Sequence, residues 1–441
     1  MTSPLVHVLV INWNGLSHLE DCFQSLLSST YDNARFVLLD NASTDDSIAY
    51  VREHFGHDDR VEIVECGGNL GWSRGNNVGI ERALAADAKY VLLLNNDTWT
   101  DPAAIERLVA AAEANAQIGA LAPRMQLFDT PDVLNSLGLE CSIVGCGWDI
   151  GLGRIFQKRM AVPRKVIGVC GGACLIRSSA IRKAGLLPTD FDIYLDDLDL
   201  SLRIWNAGFE IWNCPDAIFR HKFSATMGTG KQFERKYFLN TRNRFRLMQR
   251  CFPQAHFARI ARSVIWGEIR AVGRAILNRE WWKVGIHVRS WRECWAYRST
   301  AASARAEMRS LGLVDGAFWP LVEKRQLFFP GILLPFEGWY PAISHAGRLF
   351  SPISSRAVYE GSAVGLRVFC TNCYPAIQEV KIEVRIAEKT VSTMRVRDGV
   401  REFLIETHGR PVEFLSRAIF WGEQTGERMD IGGWLHIQPL S

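Results

Sequence analysis

No apolar run in this chain of 441 residues approaches the roughly 18 residues that a membrane-spanning helix needs. The apolar segment LVHVLVI at 5–11 has no basic leader before it, so we expect a first strand and not a signal peptide. The sequence also lacks a compact block of lysine and arginine, and its net charge is only +4, which argues against a nucleic-acid partner.

The eleven cysteines are scattered and do not form the closely spaced pattern of a small disulfide-bonded domain. The single C-x-x-C at 370–373 has no second ligand pair at a spacing suited to structural zinc. These absences favour a protein of the reducing cytoplasm. A chain of this length is expected to form about two or three domains, each with its own core.

The glycine-rich loop of this chain belongs to neither common nucleotide-binding type. The loop, NLGWSRGNNVG at 69–79, lacks the Gly-Lys-Ser/Thr of a P-loop, and its glycine spacing differs from the dinucleotide fingerprint. It nevertheless opens a predicted helix and offers hydrogen-bond donors to a nucleotide or a sugar. The alternative is a turn that needs glycine only for a positive φ.

Up to about residue 250 the sequence alternates short apolar runs with segments of helical periodicity. Strands are predicted at 5–11, 34–39, 61–64 and 89–94, and helices over 16–29, 45–55 and 76–86. This alternation predicts an α/β fold with a doubly wound, mostly parallel sheet. Ligands of such sheets bind outside the carboxyl ends of the strands.

Carboxylates follow two of these predicted strands. Asp40 follows the strand at 34–39, and Asp97 follows the strand at 89–94 in the turn Asn95-Asn96-Asp97. One or two protein carboxylates suffice for a divalent cation that bridges two phosphates, because the phosphates supply further oxygens. Capping of the next helix is the alternative role for Asp97.

A denser acidic cluster places Asp196 and Asp197 at the start of another predicted helix. Neighbouring like charges raise the pKa of one carboxyl, whereas the helix dipole lowers it, so a general base is one interpretation and helix capping the other. Arg203 would face a phosphate or extend into solvent. His221, after a predicted strand, would complete a metal site or be structural.

The rest of the chain shows two further sequence patterns. From about 253 to 309, tryptophans interleave with arginines, which is typical of a helix on an anionic membrane surface or of an ordinary amphipathic helix pair. From about 327 onward, period-two alternation predicts the short strands of an antiparallel β-sandwich. We therefore divide the chain into domains at 1–250, 251–326 and 327–441.

Six motifs occur in a fixed order between about residues 4 and 250. They are INWN at 11–14, DNASTDDS at 40–47, NLGWSRGNNVG at 69–79, LNNDT at 94–98, GGACLI at 171–176 and YLDDLDLSLR at 194–203. Together they resemble the family 2 inverting glycosyltransferases of GT-A fold, especially the rhamnosyltransferase-like branch of bacterial surface-polysaccharide synthesis. The motif GWYP at 338–341 resembles an accessory β-domain of some of these enzymes.

The resemblance implies a role for each matched residue. Asp197 would be the catalytic base, with Asp196 in place of the usual Glu. Asp97 matches the last acid of the D-x-D motif, with Asn95 replacing the first, and would hold a divalent metal, Mg or Mn, together with His221. The nucleotide-sugar donor would be bound by a polar set: Asn12, Asn14, Asp40, Asn69, Gly71, Asn76, Asn77 and Asn96. The acceptor region would contain Gly172, Ala173 and Arg203.

A Tyr–Arg-Asn signature follows the transferase core at Tyr237, Arg242 and Asn243, and the sequence assigns it no role. The resemblance implies transfer of a sugar from dTDP-rhamnose or a UDP-sugar to a growing polysaccharide or a lipid-linked acceptor. The scattered cysteines favour the cytoplasm, and the tryptophan and arginine pattern of residues 256–300 predicts either peripheral association with the inner face of the membrane or a helix pair packed on the catalytic domain. A homo-oligomer is compatible with the β-sandwich.

Two other function classes stay open. A nucleotidyltransferase would need a glycine-rich triphosphate loop with Arg and Lys after the first strand, whereas this chain has NWNGLS at 12–17. An inactive sugar-binding scaffold would bind donor without turnover, and the presence of both Asp97 and Asp197 argues against it.

Overall fold

The computed structural model describes residues 3–129, 131–154, 156, 158–222, 231–324, 343–345, 348–353, 356–359, 363–371, 379–397, 399–416, 420–421, 430–431 and 433–440. The GWYP motif and the second cysteine of the C-x-x-C lie outside these residues. The chain divides into two compact units. The first comprises Met1–Pro131, Ser136–Ile150 and Pro163–Phe328, and the second Asp132–Asn135, Gly151–Val162 and Phe329–Ser441.

The strands of the N-terminal part are short, and several are buried on both faces. In chain order they are β1 (Val6–Asn12), β2 (Ala34–Asp40), β3 (Val61–Glu65), β4 (Tyr90–Asn95), β5 (Thr98–Thr100), β6 (Ile118–Leu127), β7 (Leu134–Ser136), β8 (Leu139–Cys141), β9 (Gly147–Asp149), β10 (Ala173–Arg177) and β11 (Glu210–His221). The main sheet has the order β3-β2-β1-β4-β10-β6-β11-β5.

The helices of the first unit connect and cover these strands. They are α1 (Leu16–Leu27), α2 (Ser47–Phe55), α3 (Gly71–Ala85), α4 (Ala104–Ala114), α5 (Ser178–Ala184), α6 (Asp196–Asn206), α7 (Lys231–Cys251), α8 (Phe257–Leu277) and α9 (Trp281–Ser310), with short 3-10 helices at Gln254–His256 and Trp319–Leu321. Another 3-10 helix, Lys158–Ala161, belongs to the second unit. None of the described helices is both long and apolar enough to cross a membrane.

The main sheet is mostly parallel. Strand β1 pairs in parallel with β2 and β4, β2 with β3, and β6 with β11, whereas β10 runs antiparallel between β4 and β6. This arrangement confirms the predicted doubly wound α/β sheet of GT-A type. Its core is a continuous apolar cluster in which side chains of β1, β2 and β4 pack against α1, α2 and α4.

The register of the central strands decides which polar residues meet. Asn12 lies opposite Asp40, and Ile11 lies opposite Asn95, so β1, β2 and β4 end side by side. Because parallel strands share a carboxyl edge, the residues that follow them are grouped at one edge of the sheet.

Helix α3 begins five residues earlier than the sequence predicts, at Gly71 instead of Asn76. The side chain of Asn69 accepts the backbone N–H of Gly71, and Gly71 has a φ of +75°, a conformation that glycine adopts without steric cost. The early start places Trp72 and Ser73 in the first turn of the helix.

The second unit is antiparallel. Its strands are β12 (Ile343–His345), β13 (Arg348–Ile353), β14 (Arg356–Tyr359), β15 (Gly365–Thr371), β16 (Val380–Ile386), β17 (Lys389–Val396), β18 (Val400–Glu406), β19 (Val412–Ser416), β20 (Phe420–Trp421), β21 (Asp430–Ile431) and β22 (Gly433–Leu440). One sheet has the order β12-β13-β22-β15-β18, and a second has β14-β19-β16-β17. Both contribute to one buried apolar cluster, as expected of the predicted β-sandwich.

Candidate functional site

The ends of β1 and β2 hold a closed network of polar side chains. Asn12 Nδ2 donates to Asp40 Oδ1 at 3.1 Å, and Asn12 Oδ1 accepts from Asn96 Nδ2 at 2.6 Å. The other oxygen of Asp40 accepts the Ser43 backbone N–H at 2.9 Å. Asn12 and Asp40 are buried, so these bonds fix the direction in which the Asp40 carboxylate presents its remaining lone pairs.

The turn after β1 is joined to the turn after β2 by Asn14. Its Oδ1 accepts the backbone N–H of Thr44 at 2.7 Å, and its own N–H donates to Ser43 Oγ at 2.9 Å. Asn14 has a φ of 50°, which asparagine tolerates better than most residues. Four of the predicted donor-binding residues, Asn12, Asn14, Asp40 and Asn96, therefore lie together.

The other predicted donor-binding residues mainly make hydrogen bonds within the start of α3 and between α3 and neighbouring loops. The amide of Asn77 donates to the Leu187 carbonyl and accepts the Leu187 N–H, both at 3.0 Å. Asn76 is buried and donates to the Trp72 carbonyl. The Gly71 carbonyl accepts from Asn41 at 3.1 Å, which ties this loop to the end of β2. These contacts hold the loop beside the sheet edge.

Asp97 and His221 meet on the other side of the same edge. Asp97 Oδ1 lies 3.0 Å from His221 Nε2, and the Lys222 N–H donates to the Asp97 carbonyl at 2.8 Å. This meeting follows from the antiparallel pairing of β5 with β11, in which His221 lies opposite Thr98. Asn95 Nδ2 lies 3.5 Å from the same imidazole nitrogen.

One carboxylate and one imidazole can hold a divalent cation when a ligand completes its coordination. In the described part of the chain no three His, Cys, Asp or Glu side chains come together as a metal site. A nucleoside diphosphate would supply the missing oxygen ligands, so the donor set of Asp97 and His221 fits a cation that binds together with its substrate.

The predicted base, Asp197, lies at the start of α6. Its Oδ2 accepts the Gly171 N–H at 2.9 Å, and its Oδ1 accepts the Leu198 N–H at 2.7 Å. Asp196 accepts a hydrogen bond from Ser73 Oγ at 2.6 Å. Both carboxylates of the predicted pair are therefore oriented by neighbours from other elements.

The electrostatic environment suits a carboxylate that accepts protons near neutral pH. Burial, together with the negative charge of Asp196, raises the pKa of the Asp197 carboxyl to about 7. Burial also raises the pKa of Asp196, and its hydrogen bond from Ser73 opposes that rise. Raised pKa values of adjacent acids in one place are typical of catalytic sites.

Gly171 lies where Asp197 approaches the sheet. A Cβ atom on Gly171 would be 2.6 Å from the Trp72 ring, so this position requires glycine. The Trp72 indole N–H donates to Asn95 Oδ1 at 3.2 Å. Asp197, Gly171, Trp72, Asn95 and the imidazole beside Asp97 thus form an unbroken series of contacts.

Two of the three predicted acceptor residues, Gly172 and Ala173, lie beside the contacts that join Asp197 to His221. The Asn95 N–H donates to the Gly172 carbonyl at 3.0 Å, and Ala173 pairs with Leu94 in the sheet. Arg203 lies elsewhere: it is buried, its Nε donates to Asp199 at 2.8 Å, and it also donates to the carbonyls of Ala184 and Leu186. This guanidinium binds the protein interior.

Two members of the Tyr–Arg-Asn signature, Asn243 and Arg242, hold the loop that precedes the acids, whereas the Tyr237 hydroxyl lies 2.9 Å from His287 Nε2. Asn243 Nδ2 donates to the carbonyls of Phe191, Ile193 and Tyr194 at 2.8, 2.9 and 2.9 Å. Tyr194 and Leu195 have φ values of 74° and 64°, which cost on the order of 1–3 kcal/mol per residue unless the surroundings impose them.

Arg242 assists this clamp by donating to the Phe191 carbonyl at 2.7 Å. Sequence reasoning recorded the signature but missed its role, as it missed Ser73 and Trp72. Ser73 and Trp72 could have been found in the sequence, because both lie in the NLGWSRGNNVG motif together with residues that were predicted to bind the donor.

Comparison with known proteins finds similarity over the N-terminal part of the chain. Residues 7–185 match the Glycosyl transferase family 2 model. An uncharacterized glycosyltransferase of Haemophilus influenzae is 26% identical over 148 residues, which are 34% of this chain and 42% of that protein. The N-acetylglucosaminyl-diphospho-decaprenol L-rhamnosyltransferase of Mycobacterium tuberculosis is 27% identical over 246 residues, which are 51% of this chain and 78% of that protein.

Among solved structures, the mannosyltransferase PcManGT from Pyrobaculum calidifontis, in complex with GDP-Man and Mn2+, overlaps 69% of this chain and 88% of that chain. Its sequence identity is 14% and the TM-score is 0.43. The chain spans less than half of the Haemophilus influenzae relative. The family match ends at residue 185, before Asp197 and His221. Over residues 7–185 the chain is similar to Glycosyl transferase family 2, as its motifs predict.

Proposed function

We propose that this protein is an inverting glycosyltransferase that moves one sugar from a nucleoside diphosphate donor to an acceptor hydroxyl. The observation that carries the proposal is the series of contacts from Asp197 through Gly171, Trp72 and Asn95 to the imidazole beside Asp97. It supports a single site with a proton acceptor at one end and a diphosphate-binding end at the other.

The donor end is formed by the residues that follow β1, β2 and β4. Asp40, oriented by Asn12, would bind the nucleoside through its free lone pairs. Asp97 and His221 would hold a divalent cation, which would stabilise the charge of the leaving diphosphate. Whether Mg or Mn serves depends on the coordination that the diphosphate completes.

Asp197 would carry out the proton transfer. Its ionised carboxylate takes the proton of the acceptor hydroxyl while that oxygen attacks the anomeric carbon from the face opposite the diphosphate. The new C–O bond forms as the bond to the phosphate oxygen breaks. One displacement of this kind inverts the anomeric configuration. Gly172 and Ala173 would border the acceptor, because they lie against the end of β4, next to Asn95 and Leu94.

The relatives and the sequence support a first choice of donor and acceptor class. The rhamnosyltransferase of Mycobacterium tuberculosis supports dTDP-rhamnose as the first donor to test, with UDP-sugars next. The same relative acts on a lipid-linked acceptor by its name, which supports a polysaccharide or lipid-linked acceptor here. Such an acceptor would place the enzyme in the cytoplasm, peripheral on the inner face of the membrane.

A panel of nucleotide sugars tests the proposal. The full chain is incubated with each donor and Mg2+ or Mn2+, and release of nucleoside diphosphate is measured. We expect one donor class to release diphosphate, the Asp97→Ala variant to lose the metal dependence, and Asp87→Asn, at a nearly fully exposed carboxylate, to behave as wild type.

Two results would overturn the proposal. Donor binding by calorimetry without any release, even when acceptor hydroxyls are supplied, would indicate a sugar-binding scaffold. Pyrophosphate release from a nucleoside triphosphate and a sugar phosphate would indicate a nucleotidyltransferase.

A further inference from the structure

Helix α8 presents large apolar side chains to solvent. Ile265, Trp266 and Ile269 are 57%, 60% and 56% exposed. Ile276 is also exposed, and the spacing of these residues places them on one side of the helix. Exposed apolar side chains that are contiguous, unlike scattered ones, mark a surface that is covered in the working protein.

An apolar groove of about 560 Å³ runs along this side. Among its lining residues, Ile265, Ile269, Val272 and Ile276 come from α8, and Phe245 and Trp291 come from α7 and α9. Its acid, Glu268, is already bound, because its carboxylate pairs with Arg244 and lies 2.8 Å from His287 Nδ1. The groove therefore offers hydrocarbon contacts along its length.

A smaller cavity of about 270 Å³ is also lined by residues of α8. It is lined by Arg259, Arg262, Ser263, Trp266 and Lys324, so that among the described residues its lining has three cations and no carboxylate. Burial, followed by the positive charge of Arg259, lowers the pKa of the Lys324 ammonium. Like charges brought together in this way are stabilised by an anion.

The groove and the cavity are continuous in sequence. Ile265 lines the groove and Trp266, the next residue, lines the cavity. A molecule with a hydrocarbon chain and an anionic head group matches the chemistry of both sites on this helix. A second copy of this chain fits less well, because a two-fold dimer through the same patch would bring both sets of three cations together.

We propose that this surface, the α8 face, binds an anionic membrane lipid. The lipid phosphate occupies the cavity of Arg259, Arg262 and Lys324, and an acyl or isoprenoid chain lies in the groove of Ile265 and Ile269. The contact is interfacial, since tryptophan and arginine beside exposed aliphatic residues are suited to the boundary between head groups and chains. Lipid binding needs no sugar transfer, so this inference stands apart from the proposed reaction.

The test is co-sedimentation of the full chain with vesicles. One set contains phosphatidylcholine alone, and the other contains phosphatidylcholine mixed with phosphatidylglycerol. We expect binding to the anionic vesicles that weakens as salt rises, because surface cations are screened within a Debye length.

Two double variants separate the parts of the α8 face. Arg259→Glu with Arg262→Glu should weaken binding to anionic vesicles about 30-fold or more, since each cation near an anionic surface contributes about a factor of five. Ile265→Asp with Ile269→Asp should remove binding. Arg52→Glu, on exposed α2, and Val314→Asp, at another exposed apolar position, are the matched controls and should bind as wild type.

Each remaining outcome counts against the proposal. Equal binding to both vesicle types would show that the cations do not bind a lipid head group. Wild-type binding by the isoleucine variants would show that the groove does not bind a lipid chain. If the wild-type protein does not bind vesicles but forms a dimer, and these variants are monomeric, the α8 face binds a second copy of the chain instead of a lipid. All variants replace exposed side chains, and thermal melting checks that they fold; if a double variant melts early, the single change Ile269→Asp takes its place.

Discussion

The two faces of α6 hold carboxylates in opposite electrostatic environments. Asp197 faces Gly171 and its acidic neighbour, and burial followed by that neighbour's charge raises its pKa. Asp199, two residues later, is fully buried, and burial alone would raise its pKa as well. Instead the positive charges of Arg250 and Arg203 lower it, at Nε–carboxylate distances of 3.3 and 2.8 Å.

The difference shows what decides the role of a buried acid. Both residues lose water on folding, which disfavours the ionised form of each. Only Asp199 gains cations that outweigh this loss, so it is a structural anion. Asp197 lacks such cations and can take up a proton in the neutral range. Successive residues of a helix point in different directions, so one helix supplies chemistry on one face and stability on another.

The largest expected effect separates the two acids by activity. Asp197→Asn keeps the size of the side chain but removes the proton acceptor, so turnover should fall by about 10²–10⁴-fold. Donor binding, measured by calorimetry, should change little. Diphosphate release in the presence of acceptor is the measurement, and Asp87→Asn is the control. A turnover near that of wild type would take the role of base away from Asp197.

Asp199→Asn should reverse the pattern and act on stability. Removing the Asp199 charge takes the carboxylate away from the buried Arg203 and leaves Arg250 with Asp190 alone, and it is expected to cost about 3–5 kcal/mol of unfolding free energy. The measurement is the free energy of unfolding of the first unit, obtained from denaturant titration. The comparison between the faces of α6 fails if Asp199→Asn unfolds at the same midpoint as Asp197→Asn.

Asn243→Ala sharpens the comparison by loosening the loop before Asp196. The change removes three hydrogen bonds to loop carbonyls and should cost about 1–3 kcal/mol. Because the loop sets the position of Asp197, turnover should also fall about tenfold or more while KM for the donor stays similar. Asn240→Ala, one turn earlier on α7 and bonded only to its own helix at the Lys236 carbonyl, is the matched control.

If Asn243→Ala lowers stability without changing turnover, the loop does not position the base. If both variants behave alike, the effect comes from helix α7 itself and the clamp has no special role.

The smallest effect is the pH dependence of the wild type and of Asp197→Asn. Since the base must be ionised and its pKa is raised to about 7, kcat/KM should rise with pH through that value, by about tenfold per unit well below it. The same raised pKa means that the folded protein binds more protons than the unfolded chain between the ordinary value of 3.8 and about 7. Stability from this group is therefore lost as pH rises through that window.

Asp197→Asn escapes this loss, so it should melt higher than wild type at pH 8, by roughly 2–4 °C per kcal/mol regained, and the difference should vanish toward pH 3. Thermal melting across that range checks the sign. A variant that melts lower than wild type at pH 8 would show that the Asp197 carboxylate stabilises the fold.

Particular residues show how far the sequence reached into the site. The family resemblance assigned Asp40, Asn12 and Asn96 to one donor-binding set, and the structure brings their side chains together where the strands end. Arg203 shows the limit. Its helical position left phosphate or solvent as its partner, whereas the structure pairs it with Asp199 in the interior.

The role of Asn243 could not be read from the sequence either. Its three partners lie about fifty residues earlier in the chain, and their need for a donor arises from the backbone conformation of residues 192–195. Hydrophobic periodicity carries no information about such a loop, since the conformation is imposed by packing against α7.

By itself, the sequence determined the strands, their polar ends and the order of the motifs, because these depend on local periodicity and on residue type. The tertiary structure decided which acid is paired and which is not. The ionisation of a buried carboxyl depends on charges and hydrogen-bond donors a few ångströms away. Arg250 of α7, the Ser73 hydroxyl of α3 and the Gly171 N–H are brought to α6 only in the folded chain.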